Sequence, residues 1–231
     1  MSDTGSVLAG FLLADSRLPS GAYSHSAGLE PAVLAGLEVD GVYPYLLSRL
    51  HTVVQMEACA SVLAFRHARL IQSGSAGAGF FPVLEAALDA RTPSGAQRDA
   101  SRRLGRGMLR LAGTLKGADP AVGRLAAEVR KPMRPVALGV TAAALGMGEA
   151  SLARLCCYDD AQSVVAAALK LLPIDPMTAT GWILAAEETI EAVADAAQGI
   201  RGLDELPALS APWMEHWAED HTTRTRRLFV A

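Results

Sequence analysis

The stretch Ser151–Leu171, SLARLCCYDDAQSVVAAALKL, decides the fold, because apolar residues recur along it at helical spacing without an internal proline or glycine. Two neighbouring stretches, Val136–Leu145 and Met177–Ala197, are apolar in the same way. Gly148 and Leu172–Pro176 interrupt the run and separate the three stretches. We therefore predict three apolar helices in the C-terminal half of the chain.

The rest of the chain alternates between helical stretches and turns. Asp40, Asp119 and Asp175 each stand where a helix N-cap is expected, and Pro176 suits the first helical position after its cap. Ser73–Gly79 is the clearest loop. A helix capped by Ser24 or Ser26 is predicted to reach about Ala35, with Pro31 either inside it or, if the regular helix begins nearby, in its first turn. The remaining predicted helices are Val7–Ala14, one long or two joined helices through Leu46 to Ile71, Phe81–Arg91, Ala96–Leu115, a helix from Asp119 to about Arg130, and Ala211–Asp220.

No stretch shows the two-residue alternation of a half-buried strand, and no repeat occurs at a solenoid period. The chain is 51% hydrophobic but only 5% aromatic, which favours cores of Ala, Leu and Val between packed helices. We predict an all-α fold, a single compact domain of roughly ten helices over residues 1–231. We expect its C-terminal tail, residues 221–231, to dock, because Leu228 and Phe229 would otherwise expose apolar surface.

Charge and cysteine content limit the classes of function. The net charge is −3, so no global field attracts nucleic acid. Three cysteines without a framework spacing indicate free thiols in a reducing compartment. The N-terminus has no basic region before its apolar run, and the uncharged stretch Pro135–Gly148 is too short to span a membrane. We expect a cytoplasmic protein that binds neither a membrane nor nucleic acid.

The segment Asp15–Glu30 concentrates polar and turn-forming residues between two helices. His25 could serve as a catalytic base with Ser24 or Ser26 as the nucleophile, although no nucleophile elbow frames them. The alternative is that the serine hydroxyls satisfy the amide groups at a helix end. Sequence alone leaves both interpretations open, and the second needs no special chemistry.

Two further clusters carry potential metal ligands. Cys156, Cys157, Asp159 and Asp160 are near neighbours in one helix, but such residues point in different directions and cannot all converge. We expect buried thiols and at least one aspartate on an exposed face or at an interface. His216 and His221 are five residues apart and poorly placed for one metal. A weak surface nickel or zinc site is one interpretation, since imidazole suits both metals, but a solvated acidic face is favoured. No specific metal signature occurs.

Arginines form the strongest charge pattern, with spacings that place most of them on one side of a helix. They are Arg98, Arg102, Arg103, Arg106 and Arg110. A nucleic-acid interface is one interpretation, but no interleaved aromatic residues accompany them. An acidic protein partner or simple solvation fits the near-neutral total charge better. No glycine-rich phosphate loop occurs, so the chain is not a P-loop nucleotide hydrolase.

Three segments together resemble the UreF family of urease accessory proteins. The first is similar to the family pattern LADS–LP–G–aromatic–HS–GLE at Leu13, Ala14, Asp15, Ser16, Pro19, Gly21, Tyr23, His25, Ser26, Gly28, Leu29 and Glu30. The second is the run Arg98–Gly105, and the third is Pro207–Leu209 with His216 and the ending Arg226, Arg227, Leu228 and Phe229. Arg134 departs from the family, in which His commonly precedes this proline.

The resemblance implies a non-enzymatic maturation scaffold. It implies assembly with UreD (also called UreH), the GTPase UreG and apo-urease, and coupling of GTP hydrolysis to nickel insertion. It also implies that no cofactor is stably bound, since the assembled complex handles the nickel. We predict a homodimer as well, because the long apolar helices leave faces that a single domain does not fully bury. The predicted partner-binding residues are Asp15, Ser16, Pro19, Gly21, Tyr23, His25, Ser26, Gly28, Glu30, Arg98, Arg102, Arg103, Arg226, Arg227, Leu228 and Phe229.

Two rival hypotheses belong to other functional classes. One is an all-α enzyme that uses Asp159, Asp160 and His25 as acid–base groups, which requires all three in one pocket. The other is a nucleic-acid-binding module that uses the arginine face from Arg98 to Arg110.

Overall fold

The computed structural model describes residues 5–15, 17–18, 25–224 and 228–229, and within them it contains helices and no strand. The all-α prediction is therefore confirmed. The helices are α1 (Val7–Ala14), α2 (Leu29–Leu34), α3 (Val39–Arg49), a π-helical segment (Leu50–Val54), α4 (Gln55–Gln72), α5 (Phe80–Arg91), α6 (Gly95–Lys116), α7 (Pro120–Glu128), α8 (Arg134–Ala144), α9 (Glu149–Leu171), α10 (Pro176–Ala185), α11 (Glu187–Gly199) and α12 (Pro212–Thr223), with a short 3-10 turn at Leu203–Glu205.

Side-chain caps begin several of these helices, as the sequence predicts. Asp119 accepts hydrogen bonds from the first amide groups of α7, and Asp175 accepts one from Thr178 in α10. Pro176 occupies the first turn after its cap. The prediction for Asp40 is wrong, because α3 starts at Val39 and Asp40 already lies in its first turn.

The long apolar stretch between α3 and α4 is one continuous helical path. Its two α-helices are joined by the π-helical segment Leu50–Val54 rather than by a loop. A π segment is a wider turn that shifts the register of the side chains after it, and such segments are frequent at functional sites.

The predicted single helix Met177–Ala197 is instead two helices, α10 and α11, that meet at Ala186. The hydroxyl of Tyr43 donates a hydrogen bond of 3.0 Å to the carbonyl oxygen of Ala185. This contact from α3 takes up a carbonyl group at the end of α10, where the helix breaks.

The buried residues form two hydrophobic clusters. One is built mainly from α1, α4, α5, α6, α7 and α8, and the other mainly from α2, α3, α10, α11 and α12. Helix α9 contributes to both, because Leu152 and Cys156 lie in the first cluster and Cys157 and Val164 in the second. The stretch that predicted the fold from sequence is therefore the helix that both clusters share.

Small residues allow α4 and α8 to approach closely. A Cβ atom on Gly139 of α8 would overlap the carbonyl oxygen of Ser61 and lie 2.9 Å from the Cβ of Ala64. Only a residue without a side chain fits this crossing. Among the helices described, none is long and apolar enough to cross a membrane.

Candidate functional site

An open cavity of about 360 Å³ lies where the segment after residue 25 meets α6, α8, α9 and α12. It collects polar side chains from parts of the sequence that are far apart. The charged or titratable ones are His25, Arg49, Glu57, Asp99, Arg103, Arg134, Asp159, Asp160 and His221. Cavities of this size commonly bind small molecules or single side chains.

The π segment supplies one wall of the cavity. Arg49 comes immediately before it, Val53 lies inside it and Glu57 follows it, and all three line the cavity. These residues are four apart, so they share a helix face in spite of the change in helix type.

Helix α6 positions Arg134 from the opposite side. The backbone N–H of Arg134 donates a hydrogen bond of 3.0 Å to Oγ of Ser101. Gly105 has no side chain, and a Cβ there would overlap the carbonyl oxygen of Pro132. Ser101 and Gly105 of the arginine-rich helix therefore hold the start of α8 in place.

Two ion pairs form the floor of the cavity. Arg49 donates two hydrogen bonds to Asp160, with N–O distances of 2.8 and 2.5 Å, and Arg134 donates one to Asp159. All four side chains are at most one-fifth exposed. Buried pairs of this kind depend on good geometry, because both charges lose their hydration.

These ion pairs bear on the prediction that at least one of the two aspartates lies on an exposed face or at an interface. Cys156 and Cys157 are buried, as expected, and burial raises the pKa of the Cys156 thiol to about 11. Asp159 and Asp160, however, do not occupy an exposed face. They turn into the cavity because an arginine from α3 or α8 reaches each of them.

His25 is half-buried on the cavity wall. Burial is the main cause that lowers its pKa to about 4, and the positive charges of Arg103 and Arg134 lower it further. The imidazole is therefore neutral at pH 7. It makes no hydrogen bond to any residue that the structure describes, so no carboxylate orients it as a base.

Ser26, Gly28 and Tyr45 shape the turn into α2. The hydroxyl of Ser26 accepts the N–H of Glu30 at 3.3 Å and so satisfies an amide group at the start of α2. The prediction of Ser26 as the N-cap is wrong, because Gly28 holds that position. Gly28 has φ +74°, and a Cβ on it would lie 2.8 Å from the Tyr45 hydroxyl. That hydroxyl donates to the carbonyl oxygen of Ala27 at 2.8 Å. The turn therefore requires glycine at position 28.

Glu30 joins the first segment to the C-terminal tail. Its carboxylate accepts the backbone N–H groups of Leu228 at 2.6 Å and Phe229 at 2.9 Å. Nε2 of His221 lies 3.5 Å from the same carboxylate. Phe229 is buried with the Nζ atom of Lys170 5.0 Å above its ring, whereas Leu228 is 63% exposed. Phe229 therefore packs on its own chain, and docking of the tail as a whole stays a prediction.

Comparison with known proteins identifies the family. A model of the UreF family matches residues 38–187. The chain is 34% identical over 223 residues to the urease accessory protein UreF of Mycobacterium sp. (strain JLS), which covers 95% of this chain and 96% of that relative. It is also 34% identical to the UreF of Mycolicibacterium vanbaalenii and 32% identical to that of Mycobacterium tuberculosis, over similar shares.

The chain belongs to the UreF family. This places it among the urease accessory proteins, which are non-enzymatic maturation factors. The enzyme hypothesis required His25, Asp159 and Asp160 in one pocket, and they do line one cavity. Each aspartate is already paired with an arginine there, and family membership excludes an enzymatic role.

The arginine-rich helix of this UreF protein does not present one continuous cationic face. Arg98 donates hydrogen bonds to the carbonyl oxygens of Thr92 and Pro93, and Arg102 donates two to Asp89. Arg103 is exposed at the cavity rim without a hydrogen bond or ion pair to the described residues. Two of the arginines that the nucleic-acid hypothesis requires, Arg98 and Arg102, are therefore engaged in contacts within the chain.

Of the other predicted partner-binding residues, the structure describes only some. Asp15 is near the surface, pairs with Arg17 at 2.8 Å and lines a narrow cleft beside Arg134. The hydrogen bonds from Arg17 lower the pKa of Asp15 to about 2. Ser16, Pro19, Gly21, Tyr23, Arg226 and Arg227 lie outside the described residues. Partner contacts of all these residues stay predictions.

The acidic face expected near the C-terminus is only partly solvated. His216 is exposed, but His221 is buried against Glu30. Glu219 accepts hydrogen bonds from Oγ of Ser94 and from the backbone N–H of Ala96. It therefore supports the start of α6 and joins α12 to it.

Sequence reasoning missed Arg49 and Glu57 as site residues. The available signal was a pair of opposite charges eight residues apart within an otherwise apolar helical stretch. Across the described ranges, no three His, Cys, Asp or Glu side chains are arranged to hold a metal ion.

Proposed function

We propose that this UreF protein is a scaffold that joins UreD (UreH) and the GTPase UreG to apo-urease in the cytoplasm and couples GTP hydrolysis to nickel insertion. Nickel is cargo in this role, and the chain itself holds no stable cofactor. The observation that carries the proposal is the spatial convergence of the three family segments. His25, Arg103 and His221, which belong to or adjoin those segments, line one cavity.

Exposure separates residues that can touch a partner directly from those that position others. Arg17, Arg103 and Leu228 are exposed near the converging segments. Ser26, Glu30 and Phe229 are less than 5% exposed, so they support the surface residues without being accessible to a partner themselves. Arginine is enriched at protein interfaces, and an exposed leucine beside it gains free energy when a partner buries its apolar surface. We assign the tail around Leu228 to UreD and the region around His25 and Arg103 to UreG.

Homodimerisation is part of the proposal. Helix α1 has three apolar side chains that are largely exposed, with Val7 68%, Leu8 75% and Phe11 71% accessible. A cluster of this size on a short helix is costly to leave in water. A second copy of the chain would cover it, and this can be tested by sedimentation of the wild type and of a variant with all three residues changed to serine. Dimers that dissociate only in the triple variant support the assignment, and a wild-type monomer at micromolar concentration contradicts it.

The scaffold role is tested by co-purification of the tagged full chain with UreD and UreG, followed by measurement of nickel in urease from cells that lack or contain the chain. We expect both partners to be recovered, and urease to stay nickel-poor without the chain. Leu228→Asp should reduce recovery of UreD, and Arg103→Glu that of UreG. Glu188→Gln, on an exposed face of α11, is the matched control. Recovery of neither partner, together with nickel-loaded urease in cells without the chain, contradicts the role.

A further inference from the structure

The floor of the cavity contains one carboxylate that has no well-matched cation among the described residues. Glu57 makes no hydrogen bond to the described residues, and its nearest cationic atom is Nη1 of Arg134 at 3.7 Å. Arg134 makes its closer contact with Asp159. The Glu57 side chain is 22% exposed, so it remains reachable from the cavity.

The number of charged groups at the floor explains why Glu57 has no closely paired cation. Within the part of the chain that the structure describes, Glu57, Asp159 and Asp160 face two guanidinium groups, those of Arg49 and Arg134. The aspartates take the hydrogen bonds, and Glu57 is left over. Burial raises the pKa of Glu57 in spite of both arginines, and the two aspartates raise it further. One added positive charge would complete the pairing.

The remaining lining suits an organic group more than a hydrated ion. Ala27, Pro31, Val53, Ala100 and Leu104 provide apolar walls. A largely apolar cavity with a few convergent polar groups is typical of small-molecule sites. Neutral His25 on the wall does not repel a cation.

Charges of both signs lie at the rim. Arg103 is exposed there and has no carboxylate partner among the described residues, and the exposed carboxylate of Asp99, one turn earlier in α6, also lines the cavity. The preference for a positively charged ligand therefore comes from Glu57 at the floor.

We propose that this cavity binds a small organic monocation, an alkylguanidinium or alkylammonium, whose charged head pairs with Glu57 and whose chain lies against Val53 and Leu104. The site does not depend on the proposed scaffold role, because the chain alone supplies every lining residue.

Isothermal titration calorimetry on the full chain tests the site, with butylguanidinium and butylammonium as probes. We expect saturable binding of both and no binding of butyrate. Glu57→Gln keeps the shape of the side chain but removes its charge. It should weaken the binding of butylguanidinium about ten-fold or more, as for a hydrogen bond to a charged group. Glu188→Gln should leave the affinity unchanged.

A second variant blocks the cavity without altering Glu57. Ala100→Leu adds volume to the wall from α6 and should abolish binding of both cations. Circular dichroism melting of each variant shows whether it folds. A folded Ala100→Leu protein that still binds butylguanidinium overturns the location of the site.

Three further outcomes overturn the proposal. The first is the absence of saturable butylguanidinium binding at millimolar concentration. The second is an affinity of Glu57→Gln equal to that of the wild type. The third is saturable binding of butyrate that is lost in Arg103→Gln, which would make the cavity an anion site.

Discussion

Glu30 and Phe229 are 199 residues apart in the chain and are joined by a hydrogen bond of 2.9 Å from the backbone N–H of Phe229 to Oε2 of Glu30. The other carboxylate oxygen accepts the N–H of Leu228 at 2.6 Å. One buried side chain near the N-terminus therefore fixes two consecutive peptide groups near the C-terminus. Exposed Leu228 is held in place through this contact.

Glu30→Gln should release the tail. An amide offers one acceptor oxygen instead of two and presents an NH₂ group to a backbone donor. Hydrogen bonds to a charged acceptor contribute about 1.5–3 kcal/mol, so amide exchange at positions 228 and 229 should accelerate about ten-fold or more. Hydrogen–deuterium exchange with mass spectrometry of the C-terminal peptide measures this.

Phe229→Ala is the companion variant for this prediction, since it removes the buried ring and keeps Glu30. It should accelerate exchange at the same amides. Protection equal to that of the wild type in Glu30→Gln would show that the carboxylate does not hold the tail.

Arg49→Leu should destabilise the protein strongly, because it leaves Asp160 charged and largely buried at the cavity floor. Removing one partner of a buried pair typically costs about 3–5 kcal/mol. Urea denaturation should show this loss in the free energy of unfolding. The double variant Arg49→Leu, Asp160→Leu should cost less than the sum of the two single changes, and simple additivity would refute a direct coupling.

Gly139→Ala should destabilise the crossing of α4 and α8, since the added methyl group overlaps the Ser61 carbonyl oxygen. Overpacking of this kind costs about 1–3 kcal/mol. The matched control is Gly123→Ala in α7, where a Cβ meets nothing within 4 Å. That change should stabilise the protein by about 0.5–1 kcal/mol. Thermal unfolding of both variants checks the opposite signs, and equal signs would contradict the close approach.

Glu85 should make stability depend on pH. Burial raises the pKa of its carboxyl group from 4.5 to about 7, although the N–H of Met133, which it accepts at 2.8 Å, acts in the opposite direction. The folded state therefore favours the protonated form. The contribution to stability is fully present below pH 4.5 and is lost as the pH rises through about 7.

We expect Glu85→Gln to reduce this loss, which a shift of that size limits to roughly 3 kcal/mol. Free energies of unfolding measured by urea denaturation at pH 5 and pH 8 give the difference for each protein. A drop from pH 5 to pH 8 in Glu85→Gln that equals the wild-type drop would assign the pH dependence to other groups.

Local sequence signals predicted the helices well where caps and breakers are strong. Val7–Ala14 was predicted with the observed bounds, and Asp119 and Asp175 were identified as caps. The break at Ala186 was missed because no proline or glycine marks it. It lies where Tyr43, more than a hundred residues earlier in the chain, takes the carbonyl group of Ala185.

The candidate site was only partly predictable. His25, Arg103 and Leu228 were singled out by type and by family resemblance, and the structure places His25 and Arg103 at one cavity. The family segments also contain residues such as Ser101 and Gly105, whose observed role is to hold the start of α8. A motif shows which residues matter and does not separate contact residues from supporting ones.

The sequence by itself determined the all-α class, most helix positions and the family, because helical periodicity, caps and motifs are properties of neighbouring residues. Tertiary structure alone decided that Arg49 meets Asp160, 111 residues away, and that Glu57 has no matched cation among the residues at positions 5–15, 17–18, 25–224 and 228–229. Such pairings depend on the angles and distances at which helices pack. Side-chain volumes across the whole core set that packing, and no local pattern encodes it.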